Sequence, residues 1–201
     1  MLRRLIELEV HVEKILVRGD MNRSFKIKDP AILLNLEGNN VTPLPASSLK
    51  GLMRHLACIV ARVTGLKEAY LGLFGQELRD RKCFETTDSQ EKEGKLVFVN
   101  KGVNKNNITH VISPGIMINP VTRIIKENTL WFYQYFTHKR SNIIPIRYEI
   151  WAREELNSDE KRLLCYVLNL LTSREIGGRI TAGLGRIVDV VIIPEKFCKV
   201  Q

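Results

Sequence analysis

No CxxC pair occurs in this chain, and its four cysteines, Cys58, Cys83, Cys165 and Cys198, stand far apart. That spacing offers neither a zinc ribbon nor the dense cross-linking of a small secreted scaffold, and it predicts free, mostly buried thiols. The four histidines, His11, His55, His110 and His138, pair neither with one another nor with the cysteines at ligand spacing, so a metal cluster is not expected. No apolar run approaches the roughly 20 residues needed to cross a bilayer. The opening stretch carries Glu7 and Glu9 where a secretory signal would be apolar. A cytoplasmic protein without a membrane partner is the expectation. Internal repeats and low-complexity tracts are also missing, which excludes solenoids and fibrous arrays.

What the sequence does contain is the balance of a folding chain, with 44% hydrophobic and 26% charged residues over 201 positions. One core of ordinary size accommodates that length. Lys and Arg number 31 against 22 Asp and Glu, a net charge of +9, and this excess favours a polyanionic partner. Charge alone fits RNA, DNA, an acidic protein or a membrane surface.

Leu5 to Val17 alternates apolar and polar residues, the period of a half-buried strand. Arg18 to Pro45 collects Gly, Asp, Asn and Pro into a long loop, with a short extended piece at Ala31 to Leu36. Ser47 or Ser48 is placed to cap a helix running to about Thr64, whose apolar stripe leaves Lys50, Arg54 and Arg62 facing solvent or ligand. Leu71 to Gly75 reads as a turn, Arg79 to Gly94 as a charged mobile stretch, Lys95 to Asn100 as a strand, and Lys101 to Asn107 as a basic turn. Thr129 to Phe136 and Ile143 to Ala152 read as two strands of an antiparallel hairpin around a basic turn holding His138, Lys139 and Arg140. In the first of them, part of the aromatic set Trp131, Phe132, Tyr133, Tyr135 and Phe136 belongs to the core, and the rest is available for bases or a neighbouring subunit. Ser158 begins a second helix, Asp159 to Leu171, and Arg186 to Ile193 closes the chain as a β-branched strand.

The order strand, helix, strand, strand, helix, strand is the split βαβ pattern. The expected class is therefore α+β, a ferredoxin-like (RRM-like) βαββαβ core with insertions at about 18–45 and 76–120 in a single domain, 1–201.

Between the second helix and the last strand lies Gly177 to Gly185, GGRITAGLG. Glycines 177, 178, 183 and 185 let the backbone approach a ligand closely and turn N–H groups toward phosphate oxygens, with Arg179 and Arg186 adding charge. The competing reading is a tight turn that only joins two elements. Ser47, Ser48 and Lys50 sit at a helix amino terminus, where unpaired N–H groups favour phosphate, and Arg54 follows one turn later. The competing reading there is a plain cap with solvated basic residues.

Three segments together resemble the RAMP (repeat-associated mysterious protein) superfamily, in particular backbone subunits of type III CRISPR effector complexes. Pro45 to Arg54, PASSLKGLMR, is similar to the family's Ser-Ser-Leu-Lys-Gly signature, departing at Ala46. Asn119 to Phe136 is similar to a central stretch in which an acidic residue and an arginine, here Arg123, precede an aromatic strand; Asn119 stands where the acidic residue is usual. Ile176 to Val188 resembles the family's glycine-rich loop and last strand. The resemblance spans nearly the whole chain and is weakest over 79–110, where a thumb-like or lid segment would fall.

The resemblance implies a subunit that binds CRISPR guide RNA and meets single-stranded target RNA. It implies protein partners as well, the other effector subunits and copies of the chain itself. Ser47, Ser48, Lys50, Arg54, Arg123, Gly177, Gly178, Arg179, Gly183, Gly185 and Arg186 are the implied RNA contacts. Asp29 matches the placement of the cleaving aspartate in target-cutting relatives, with Asp20 as a competitor and an Asp-Pro turn as the alternative. With a divalent ion such as Mg, it would promote attack of a 2′-hydroxyl on the adjacent phosphate. Two other functions stay open: a stand-alone endoribonuclease that trims guide precursors, for which His55 is the candidate, and a non-catalytic structural subunit.

Overall fold

In the computed structural model, which describes residues 2–16, 33–76, 83–84, 93–115, 122–124, 131–178 and 180–198, strand β1 (Arg3–Glu13) supplies the middle of the molecule. Its alternation does what period two requires: Ile6, Leu8, Val10 and Val12 enter the core, and Glu7, Glu9 and His11 turn to the opposite face. β1 pairs antiparallel with β7 (Ile143–Ala152) on one side and β8 (Arg186–Ile193) on the other. β4 (Leu96–Asn104) pairs with β7, β3 (Asn40–Thr42) with β4, and β2 (Leu34–Asn35) with β3. The six-stranded antiparallel sheet runs β2-β3-β4-β7-β1-β8.

Three helices cover one face of it. α1 (Ala46–Thr64) turns Leu49, Met53, Leu56, Ala57 and Ala61 inward and ends at Gly65, whose φ of 73° is the left-handed cap expected of glycine. α2 (Lys67–Phe74) follows directly, so the turn expected at Leu71 to Gly75 is corrected to helix. Gly72 misleads a reading by composition, because it lies inside the helix. A side chain there would collide with Glu160, so glycine lets α2 pack down on α3 (Ser158–Leu170).

α3 starts with a capping box in which the Asn157 side chain accepts from the Glu160 N–H, and Glu160 accepts from the Asn157 N–H. Glu160 is only 2% exposed and is held by the Lys95 ammonium at 3.0 Å. That hydrogen bond, against the desolvation, raises the Lys95 pKa. At the sheet centre the buried Tyr148 hydroxyl donates to the Leu44 carbonyl at 2.9 Å, which also accepts from Asn100 and Thr42. Burial drives the Tyr148 pKa upward, so its proton stays to make that bond.

Two expectations fail here. β6 (Trp131–His138) does not form a hairpin with β7; it pairs along its whole length with β5 (Ile108–Gly115) in a separate two-stranded sheet. β5 carries alternating residues and was hidden by its neighbouring polar turn. The free thiols are also corrected, since Cys58 joins Cys83 and Cys165 joins Cys198, with Cα atoms 5.7 and 5.4 Å apart. Pairs 25 and 33 residues apart leave no local spacing signal to read. Among the described residues no helix is long and apolar enough to cross a membrane.

Candidate nucleic-acid interface

The glycine loop leaves α3 through a short 3₁₀ turn at Leu171–Ser173, makes a second at Ile180–Ala182, and enters β8. Its glycines serve the protein before any ligand. A Cβ on Gly177, which has φ 100°, would stand 2.6 Å from the Leu16 carbonyl oxygen, and the Gly178 N–H donates to that same oxygen at 2.6 Å. Gly185 is buried, and a Cβ there would fall on the Ile176 carbonyl. Its N–H is shared between the carbonyls of Glu13 and Lys14 at 2.9 Å each. The Gly183 N–H closes the small turn onto Ile180 at 2.9 Å, and open space surrounds its α-carbon.

The expected row of amides waiting for phosphate is therefore corrected at 178, 183 and 185, where the N–H groups already have acceptors. The close approach that demands glycine is to β1's own end. The loop's crest remains outside: Ile180 is 48% exposed, and Thr181, Gly183 and Arg186 are open to solvent.

That anchoring gathers charge. The Lys14 N–H donates to Asn142 at 3.2 Å, which draws in the turn bearing Lys139 and Arg140, and the Lys139 N–H donates to Asn107 at 2.8 Å, which adds the turn of Lys105. His138 orders its turn by accepting from the Arg140 N–H at 3.2 Å. With Arg174 and Arg186 beside the loop, six basic side chains come from the segments joined at this end, against Glu13 and Glu175. Sequence reading noticed the basic turns and missed that main-chain bonds bring them to the glycine loop.

The helix-start motif lies elsewhere, beside β4. Pro45 is the residue before the first turn, and no side chain caps it; Ser47 and Ser48 stand inside that turn, so the expected serine cap is corrected. Ser47 is exposed, and Ser48 donates its N–H to the Pro45 carbonyl at 3.0 Å. No acidic residue occupies the first turn to offset the positive end of the helix dipole.

Lys50 is half-buried and gives one hydrogen bond, at 3.3 Å, to the Leu96 carbonyl. Burial lowers its pKa, and the neighbouring positive charges of Arg54 and Arg153 lower it further. Arg54 reaches the Gly75 carbonyl at 3.1 Å and the Tyr70 hydroxyl at 3.4 Å, which ties α1 to α2 and its end. Arg153 pairs with Glu93. Lys50 is thus a crowded cation for which an anion would be a favourable neighbour.

Arg123 is exposed, with φ 55°, a left-handed conformation uncommon for a residue with a side chain. Asp29, Asp20 and Arg179 lie outside the described residues. Among the described residues no group of three or more His, Cys, Asp or Glu side chains could hold a metal ion.

The sheet face away from the helices carries charges that pair with one another. His11 lies between Glu9 at 2.8 Å and Asp189 at 3.7 Å, Arg147 meets Glu9 at 2.8 Å, and Arg4 and Lys101 meet Glu149 at 3.3 and 3.6 Å. On β6 the expected alternating division, with at least half of the aromatics in the core, is corrected: of the described side chains only Phe136 is buried, Phe132 on the same face is exposed, and Tyr133 and Tyr135 are half-buried and tilted against each other with ring centroids 6.2 Å apart.

Residues 30–188 match the family model of the RAMP superfamily. No curated protein matches the chain by sequence. Among solved structures, a chain from the cryo-EM structure of the type III-B Cmr-beta bound to cognate target RNA is similar, with a TM-score of 0.57 and 14% identity over 94% of this chain. The matched region is 60% of that longer chain. At such identity the likeness is one of fold.

Proposed function

The chain belongs to the RAMP superfamily, and from that premise we propose that it is an RNA-binding backbone subunit of a type III CRISPR effector. The observation that carries the reading is that Lys14, Lys105, Lys139, Arg140, Arg174 and Arg186 lie on strand ends and turns at the same end of the sheet as the glycine loop, several of them linked by main-chain hydrogen bonds. Guide RNA is the proposed ligand, held by its phosphates, so the subunit tolerates any base sequence. Other effector subunits, further copies of this chain and single-stranded target RNA are the proposed partners. Lys50 at the start of α1 adds a second anchor, with Ser47, Ser48 and Arg123 beside the strand's path. Within a single RAMP domain, we read β4-β7-β1-β8 with the crossovers α1 and α3 as a ferredoxin-like core, the segments at about 18–45 and 76–120 being insertions.

The reading is tested by fluorescence anisotropy with single-stranded RNA across a salt series. If the cationic end meets four to six phosphates, log affinity falls against log salt with a slope of about −3 to −4. A slope near zero, or equal binding by a variant carrying Lys139→Glu and Arg140→Glu, removes the proposal. Target cleavage by Asp29 with a divalent ion is the enzymatic extension. Asp29→Ala in the assembled effector abolishes cutting and spares RNA binding if it is right, and unaltered cutting discards it.

A further inference from the structure

Beyond the far end of β8, on the outer side of α3, lies a pocket of about 590 Å³ between the helix and the 3₁₀ turn Glu195–Phe197. β8, eight residues and roughly 26 Å long at about 3.3 Å per residue, runs from the glycine loop at its start to this turn beyond its end. Nothing in the proposed function uses it. Its two walls are joined covalently by the Cys165–Cys198 disulfide.

The lining has an uncommon composition for a helix's solvent side. Tyr166 is 44% exposed, and Phe197 on the turn lines the same pocket. Lys161 places its ammonium 5.5 Å from the centre of the Phe197 ring. Lys196 and Arg162 complete the rim, and Arg162 is the one of the three that meets the pocket's carboxylate, Asp159, at 3.1 Å. The chemistry is thus two aromatic faces with two lysines that have no carboxylate of their own among the lining residues. A planar aromatic ring carrying negative charge suits it, and the size lies within the range of small-ligand pockets.

We propose that this pocket is a second RNA contact, which takes one nucleotide of a single strand by stacking its base on Tyr166 or Phe197 and setting its phosphate between Lys161 and Lys196. The inference rests on the reading that this chain meets RNA, and it adds a separate site on the outer side of α3. The disulfide gives the site its rigidity by holding the turn of Lys196 and Phe197 against α3.

The test uses the full chain and a short single-stranded RNA, about 12 nucleotides long, within the span of such modules, carrying 4-thiouridine for photocrosslinking. Adducts on the peptides that contain Tyr166 or Phe197 are expected. Tyr166→Ala should weaken binding about tenfold, in the range for loss of one base stack, with the thermal melt unchanged because the side chain is exposed. The pair Lys161→Glu and Lys196→Glu should flatten the salt slope by about 1. Adducts confined to the glycine-loop end, with Tyr166→Ala neutral, overturn the pocket and leave the proposed function standing. Adducts confined to the pocket support it while refuting the glycine-loop reading, and no adduct anywhere refutes both.

Discussion

Gly185→Ala and Gly183→Ala form a matched pair, because both residues are left-handed, at φ 78° and 76°, and only their surroundings differ. For any residue with a Cβ that conformation costs about 1–2 kcal/mol. Gly183 faces open space, so its variant carries that cost alone. At Gly185 the new methyl falls on the Ile176 carbonyl, and the loop must back away from β1. The bonds at risk are Gly185 N–H to Glu13 and Lys14, and Ile176 N–H to the Gly185 carbonyl at 2.8 Å. Losing about two net hydrogen bonds at roughly 1 kcal/mol each brings the total to about 3–4 kcal/mol. That is a large part of the roughly 5–15 kcal/mol of a typical domain.

Urea denaturation followed by tryptophan fluorescence should therefore separate the two variants by about 2 kcal/mol, and thermal melts by about 4–8 °C. RNA affinity should change little in Gly183→Ala, since its amide is already bound within the protein and no charge is lost. Equal destabilisation of the two variants, or a native-like Gly185→Ala, refutes the claim that the glycine loop is built around its seat on β1.

Lys50→Met should weaken RNA binding, and its stability relative to the wild type should depend on pH. The folded pKa of Lys50 lies below its ordinary 10.5, so the charged form is penalised by folding at all pH below that folded value, and the penalty fades as pH climbs toward 10.5. Melts at pH 7 and near pH 10 should show the variant losing relative stability at the higher pH; a constant difference shows that Lys50 is not desolvated. Reduction of the Cys58–Cys83 and Cys165–Cys198 disulfides, which span 25 and 33 residues, should each lower stability by about 3.5 kcal/mol on the loop-entropy model. Separate Cys→Ser variants in denaturant would report both, and a drop below about 1 kcal/mol for either contradicts a formed bridge. Glu160→Gln leaves Lys95 without its buried carboxylate and should cost about 3 kcal/mol or more, as breaking one side of a buried pair does; a neutral effect in the same denaturation assay would show the pair to be solvated.

Elements with strong local periods were legible. β1, α1, α3 and β8 announce themselves by period, and the β8 limits agree with the sequence reading at both ends. What pairs with what was not legible for β6, because an antiparallel hairpin to β7 satisfies local turn chemistry as well as the distant pairing with β5 does. The deciding factor is global. β7 already has β1 and β4 on its two edges, pairings fixed by residues distant in the sequence, from Gly102 with Arg147 to Arg3 with Ala152, so β6 has no free edge there. The disulfides fail for the same reason, since the partner of Cys58 is selected by the packing of a segment 25 residues away.

The site shows a subtler limit of the same kind. Glycines 177, 178 and 185 mark places where backbone comes close to something, but sequence does not name the something, and a phosphate and a neighbouring carbonyl both demand a missing Cβ. The N–H groups of Gly178, Gly183 and Gly185 already have acceptors within the protein, so under the proposed function affinity is assigned chiefly to side chains. That shifts the expected chemistry from directed amide contacts to a diffuse cationic end, which binds through counterion release and is sensitive to salt. An amide grip would be nearly indifferent to Lys139→Glu with Arg140→Glu, whereas a cationic end loses two of its six charges and acquires two acids in their place. The salt slope of that variant therefore discriminates between the two mechanisms, and an unchanged slope would return the glycine amides to the centre of the binding argument.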